Sequence, residues 1–173
     1  MDARILNLID ECKRQEESCL YTSTALFEWM KIMRCWKTVF VVFPIVFGAL
    51  ATWPLLGQAS GFEWLTATCA LLAGLAPAVY KALDFDVSLD LIAKMAQEYK
   101  SLHDRFRQAW RITALGPPDE FKNMFDDLMK RMDVARSANL CIPERFFKRA
   151  QMKIEAGHYQ FNVDLEKKIS TSV

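Results

Sequence analysis

The chain has 173 residues, enough for one ordinary domain and too few for two well-cored ones. Lys and Arg number 22 against 21 Asp and Glu, a net charge of +1 that excludes both a basic field for nucleic acid and an acidic tail. Only 6 Gly and 6 Pro argue against disorder and against an all-β chain built from tight turns.

Residues 1–37 are charged but carry apolar side chains at Ile5, Leu8, Ile9, Cys12, Cys19, Leu26, Met30 and Met33, interrupted by Glu16 and Ser23. The three-or-four spacing predicts an amphipathic helix that enters the following apolar segment with no Pro or Gly to stop it. No short apolar core with a cleavage site occurs in it, so a signal peptide is not expected.

Residues 38–62 contain no charged side chain, nor do residues 64–80; Glu63 alone separates the two stretches. The 19 positions of 38–56 make roughly 28 Å of helix against a hydrocarbon core of about 30 Å, and the 17 positions of 64–80 are at the short end of the range for a span. A buried hairpin of a soluble helical protein would keep a polar face, and neither segment does: Phe40, Phe43 and Phe47 occupy one side of the first, Val39, Val42 and Val46 another. Two membrane-spanning helices at 38–80 are therefore predicted. Trp36, Trp53, Trp64 and Tyr80 lie near the ends of the spans, where amphipathic rings prefer the interface. Lys31, Arg34, Lys37 and Lys81 flank the outer ends, whereas the turn at 57–61 has no Lys or Arg, so the positive-inside rule predicts cytoplasmic termini and an outward turn.

After the spans, Ile92, Met95, Ala96, Tyr99, Leu102, Phe106, Ala109, Trp110 and Thr113 repeat at about 3.5 residues, a heptad-like seam within a long cytoplasmic helix at 81–115. Gly116, Pro117 and Pro118 end it. A C-terminal helical hairpin is predicted over 116–157: Pro118, Asp119 and Glu120 start a helix along Phe121, Met124, Phe125, Leu128 and Met132. Pro143 and Glu144 start the next, with Phe146, Phe147, Ala150 and Ile154 on one side and Gly157 as cap. A flexible tail is expected over 158–173. The fold class predicted is thus an all-α membrane protein, a two-helix transmembrane hairpin continued by long cytoplasmic helices with a C-terminal helical hairpin.

Chemistry is sparse. The five Cys (Cys12, Cys19, Cys35, Cys69, Cys141) form no Cys-x-x-Cys pair and read as core thiols rather than a disulfide framework or a zinc site. His103 flanks the seam and reads as a packed or surface residue in preference to a pH sensor. Asp84, Asp86 and Asp90 read as hydrated or capping carboxylates in preference to a cation site. With no phosphate-cradling loop and no nucleophile or metalloprotease motif, an enzyme is not expected, nor a catalytic, metal or cofactor site. Within the spans, Thr66, Ala70, Gly74 and Ala78 form a small-residue stripe that serves packing either inside the hairpin or between subunits. Pro44, Pro54 and Pro77 each remove a backbone donor. The helix-packing or pore candidates are Thr52, Thr66, Thr68, Ala70, Gly74 and Pro77.

A charged first helix, close-set spans and the long helix after them, especially 82–102, resemble the SLATT domains over residues 5–115. These are two-transmembrane effectors that accompany nucleotide-signalling and related conflict systems in prokaryotes. The resemblance implies a pore-forming effector of antiviral defence by abortive infection, located in the inner membrane, which oligomerises or opens to permeabilise it. It also implies the bilayer and further copies of the chain as partners, with a cytosolic sensor, a nucleotide-signalling enzyme or a reverse transcriptase alongside; direct nucleic-acid binding is not expected. The alternative is a non-toxic membrane scaffold that docks a cytosolic enzyme through its helical stalk, with Phe121, Phe125, Phe146 and Phe147 as the exposed contact surface.

Overall fold

A computed structural model describes residues 3–56, 63–82, 85–138 and 140–159; the side chains of 53–56, 63 and 85–87 lie outside that description. The described residues are helical with short turns and no strand: α1 (Ala3–Leu56), α2 (Glu63–Ala82), α3 (Phe85–Arg111), a 3-10 turn (Thr113–Leu115), α4 (Pro118–Ser137) and α5 (Glu144–Glu155). They divide into two compact units, one comprising residues 1–29 and 92–173, the other residues 30–91. These boundaries fall within α1 and α3 rather than at their ends.

The first unit is built on three helices. α1 buries Cys12 and Cys19, α3 buries Leu102, Phe106 and Ala109, and α4 buries Phe121, Leu128, Met132 and Ala135, all in one cluster. The apolar spacing of three and four on each helix is what allows a single shared core. The direction of packing follows from the pairs. Arg131 meets Glu98 and Phe125 meets Phe106, so α4 runs antiparallel to α3.

Between residues 23 and 28, α1 is buried on nearly every side: Ser23, Thr24, Ala25, Leu26 and Glu28 are all covered. The Ser23 hydroxyl is satisfied by the Leu20 carbonyl at 3.1 Å. α5 packs on this stretch of α1. Phe146 stacks on Trp29, Phe147 lies beside Tyr21, and Lys153 Nζ is 2.7 Å from the buried Glu28 carboxylate. The C-terminal helices therefore share one compact unit with the amino-terminal half of α1, and α5 stacks its rings on α1 and pairs Lys153 with it.

The helix ends agree with their sequence signals. Pro118 occupies the first turn of α4, where its missing N–H is no loss, with Asp119 and Glu120 beside it. Pro143 caps α5, and Gly157, at φ 80°, ends it in a left-handed conformation that favours glycine. Its N–H donates to the Ile154 carbonyl at 3.0 Å. The predicted tail beyond 159 and the turn at 57–61 lie outside the described residues.

The second unit contains the later part of α1, α2 and the start of α3. On α1 from residue 31 the less exposed positions are Ile32, Met33, Lys37, Phe40, Phe43, Pro44, Phe47, Gly48 and Ala51; on α2 they are Thr66, Cys69, Ala73, Ala76 and Tyr80. The α2 row steps alternately by three and four, the spacing of a helix–helix seam, and the α1 positions form a broader stripe at helical spacing. Large rings dominate one row and small side chains the other. Trp36, Phe40 and Phe43 of α1 and Leu72, Ala76 and Val79 of α2 line one apolar groove of about 350 Å³.

Candidate functional site

The later part of α1 and the whole of α2 are long and apolar enough to cross a membrane. What separates them from soluble core helices is where their side chains point. Only 6% of the most apolar window of α1 and 11% of that of α2 is buried. Val39, Val41, Val42, Ile45, Val46 and Leu50 are exposed on α1, as are Leu71, Leu72, Leu75 and Val79 on α2. Each such side chain, between 39% and 68% exposed, forgoes part of the ~1.5–3 kcal/mol that full burial would give. Ten of them on two helices make an unusually large apolar surface for a chain of this size.

The small-residue stripe resolves in an informative way. Ala70, Gly74 and Ala78 are exposed, and a Cβ added at Gly74 would meet nothing within 4 Å. The small side chains turned inward are instead Cys69, Ala73 and Ala76. Of the four expected stripe positions, only Thr66 is on the less exposed side. Composition could not separate the two rows, because α2 carries small residues on both.

The remaining candidates have defined environments. Thr52 is exposed and its hydroxyl donates to the Ala49 carbonyl at 2.8 Å. Thr68 is also exposed and donates to the Trp64 carbonyl at 2.7 Å. Both hydroxyl protons are thus spent on their own helix, leaving only acceptor capacity outward. Pro77 sits inside α2 with an exposed ring and supplies no N–H to the Ala73 carbonyl.

The expected contact surface of four phenylalanines is corrected by the structure. Phe121 and Phe146 are buried in the first unit, Phe125 is half-buried against the same core, and of the four Phe147 alone is exposed, at 43%. On α4 and α5 the apolar stripe faces α1 and α3 and is consumed by the fold.

Among the described residues no group of three or more His, Cys, Asp or Glu is placed to hold a metal ion. Cys12 and Cys19 are fully buried, and burial pushes both thiols up to about 12; for Cys12 the neighbouring Glu11 and Glu16 carboxylates add to this, while Arg136 partly opposes it at Cys19. Neither is a nucleophile at neutral pH. Burial likewise raises the Tyr99 hydroxyl above its usual range, with Arg136 opposing.

His103 is buried and its Nδ1–H donates to the Glu16 carbonyl at 3.1 Å, which fixes the tautomer since a carbonyl only accepts. The Glu16 carboxylate accepts the Trp110 indole N–H. Glu16, which interrupts the apolar pattern of α1, is thus a polar tie to α3 that periodicity alone could not reveal.

Protein-family models, curated proteins and solved structures give no match to this chain.

Proposed function

We propose that the chain is a membrane-acting effector whose two apolar helices cross the inner membrane as an antiparallel hairpin with both termini in the cytoplasm. The observation that carries this reading is the ring of exposed Val, Leu and Ile side chains around α1 and α2, which only lipid or other apolar helices can cover. Half-buried aromatics of α1 opposite small side chains of α2 suit a hairpin seam. The flanking Lys31, Arg34, Lys37 and Lys81 suit the cytoplasmic side.

Its action is to permeabilise or depolarise that membrane when copies associate or open, as one arm of a prokaryotic antiviral system. The defence role is supported by the resemblance to SLATT domains over 5–115. A two-helix protomer encloses no water path of its own, so a pore requires several copies, and the exposed row at Ala70, Gly74 and Ala78 offers backbone-close contact between them. The scaffold reading loses half of its docking surface with Phe121 and Phe146 buried.

The test is to induce the chain in cells together with its neighbouring gene products while following membrane potential with a voltage-sensitive dye. Depolarisation before growth arrest is expected. Toxicity at an unchanged potential would count against a pore, and recovery of the chain from lysate without detergent would count against membrane insertion altogether.

A further inference from the structure

The first unit holds a groove between α3 and α4 that its own packing does not use. Its volume is about 720 Å³, within the range of small-molecule sites. Buried Ala135, half-buried Met95 and exposed Val134 give it an apolar floor, and among its lining residues Lys94, Lys130 and Arg131 oppose a single carboxylate, Glu98. That carboxylate is already engaged by Arg131 at 2.6 Å. Among the described residues neither Lys94 nor Lys130 has a hydrogen-bonding or ionic partner. Two exposed ammonium groups without a close ion pair border one concave surface beside an apolar floor, and both are open to an anion.

Charge and shape together specify the guest. An inorganic anion would satisfy the lysines and leave Met95 and Val134 uncovered. Two acyl chains would exceed a floor of three side chains. We propose that this groove binds a soluble phosphorylated small molecule, its phosphate oxygens taken by Lys94 and Lys130 and an apolar ring or chain laid over Met95 and Val134. Arg131, held in place by Glu98, forms the fixed edge of the site. The site lies within one compact unit and does not rest on the membrane reading.

The experiment is calorimetric titration of the full chain in zwitterionic nanodiscs with inorganic pyrophosphate and, separately, with ATP, both free of magnesium. ATP is expected to bind at least about tenfold more tightly than pyrophosphate, because only ATP covers the floor. The Lys94→Gln/Lys130→Gln double variant should lose at least about tenfold in ATP affinity while its circular dichroism and melting temperature stay unchanged. Val134→Trp, a change at an exposed position that fills the groove, should do the same without altering charge. Equal affinity for the two probes, wild-type binding by the double variant, or no heat with either probe overturns the proposal. A response to phosphatidylglycerol in the nanodisc that needs both lysines, with none to ATP, also overturns it and assigns the groove to a lipid headgroup.

Discussion

The indole N–H of Trp110 on α3 donates to the carboxylate of Glu16 on α1, a residue 94 positions earlier, and the Glu16 backbone carbonyl takes the Nδ1–H of His103. Lys13 and Arg111 lie over the same indole ring at 5.4 and 5.0 Å. One residue of α1 is thus bound twice to α3, and the aromatic partner is held by cations besides.

Trp110→Phe keeps the apolar body of the ring and removes its hydrogen bond, leaving a half-buried carboxylate unmatched. A loss of about 1–3 kcal/mol is expected. Glu16→Gln preserves an acceptor and should lose less. Urea unfolding of the detergent-solubilised chain, followed by circular dichroism, checks both; wild-type stability in both variants would show that the contact contributes little.

Phe146 and Phe147 are adjacent in sequence and opposite in fate. Phe146 is fully buried against Trp29, so Phe146→Ala should cost about 3–5 kcal/mol. Phe147→Ala, at a 43% exposed position beside Tyr21, should cost about 1 kcal/mol or less. The same unfolding measurement separates them. If Phe147 mattered more, α5 would not pack as described.

Much of this architecture is legible in the sequence, and the reasons are local. The row from Ile92 to Trp110 recurs at helical spacing, and Ile92, Ala96, Leu102, Phe106 and Ala109 are buried as that spacing implies. Pro118, Pro143 and Gly157 mark helix ends because each restricts or frees the backbone there. Partner choice was not legible. An apolar stripe says that Phe121 and Phe146 will be covered but not by what, and assigning them to a partner misjudged how much surface α1 and α3 could cover. Nor could composition distinguish Gly74 from Ala76 on α2, since both are small and only their angular position differs. Glu16 reads as a blemish in an apolar row until Trp110 is placed beside it in space.

The thiols of Cys12 and Cys19 give a pH prediction with a definite sign. Their ordinary value is 9.0 and burial raises both to about 12. The folded chain therefore keeps two protons that the unfolded chain releases as pH rises above 9. Stability from this source is complete below that point and is lost as pH climbs towards 12, at up to about 1.4 kcal/mol per thiol for each pH unit. Replacing both with Ala should flatten the alkaline limb of the stability curve while lowering its plateau through lost packing. In parallel, the exposed Cys35 and Cys141 should react with iodoacetamide at pH 8 while Cys12 and Cys19 stay unlabelled by mass spectrometry until denaturant is added.

The two faces of α2 separate folding from assembly. Ala76 is buried on the side that shares a groove with Trp36, Phe40 and Phe43 of α1, so Ala76→Leu overpacks that seam and should cost about 1–3 kcal/mol. Ala70 and Gly74 are exposed, and a side chain at Gly74 meets no neighbouring atom. The Ala70→Leu/Gly74→Leu pair should therefore leave the melting temperature of the solubilised chain within a few degrees of wild type. If copies pack through this row, the same pair widens their backbone separation and abolishes depolarisation, with the oligomer seen by cross-linking in membranes reduced to protomers. Full depolarisation by the pair, with the oligomer intact, would move the contact to another face. A melting temperature lowered as far as that of Ala76→Leu would instead show that this row packs within the chain.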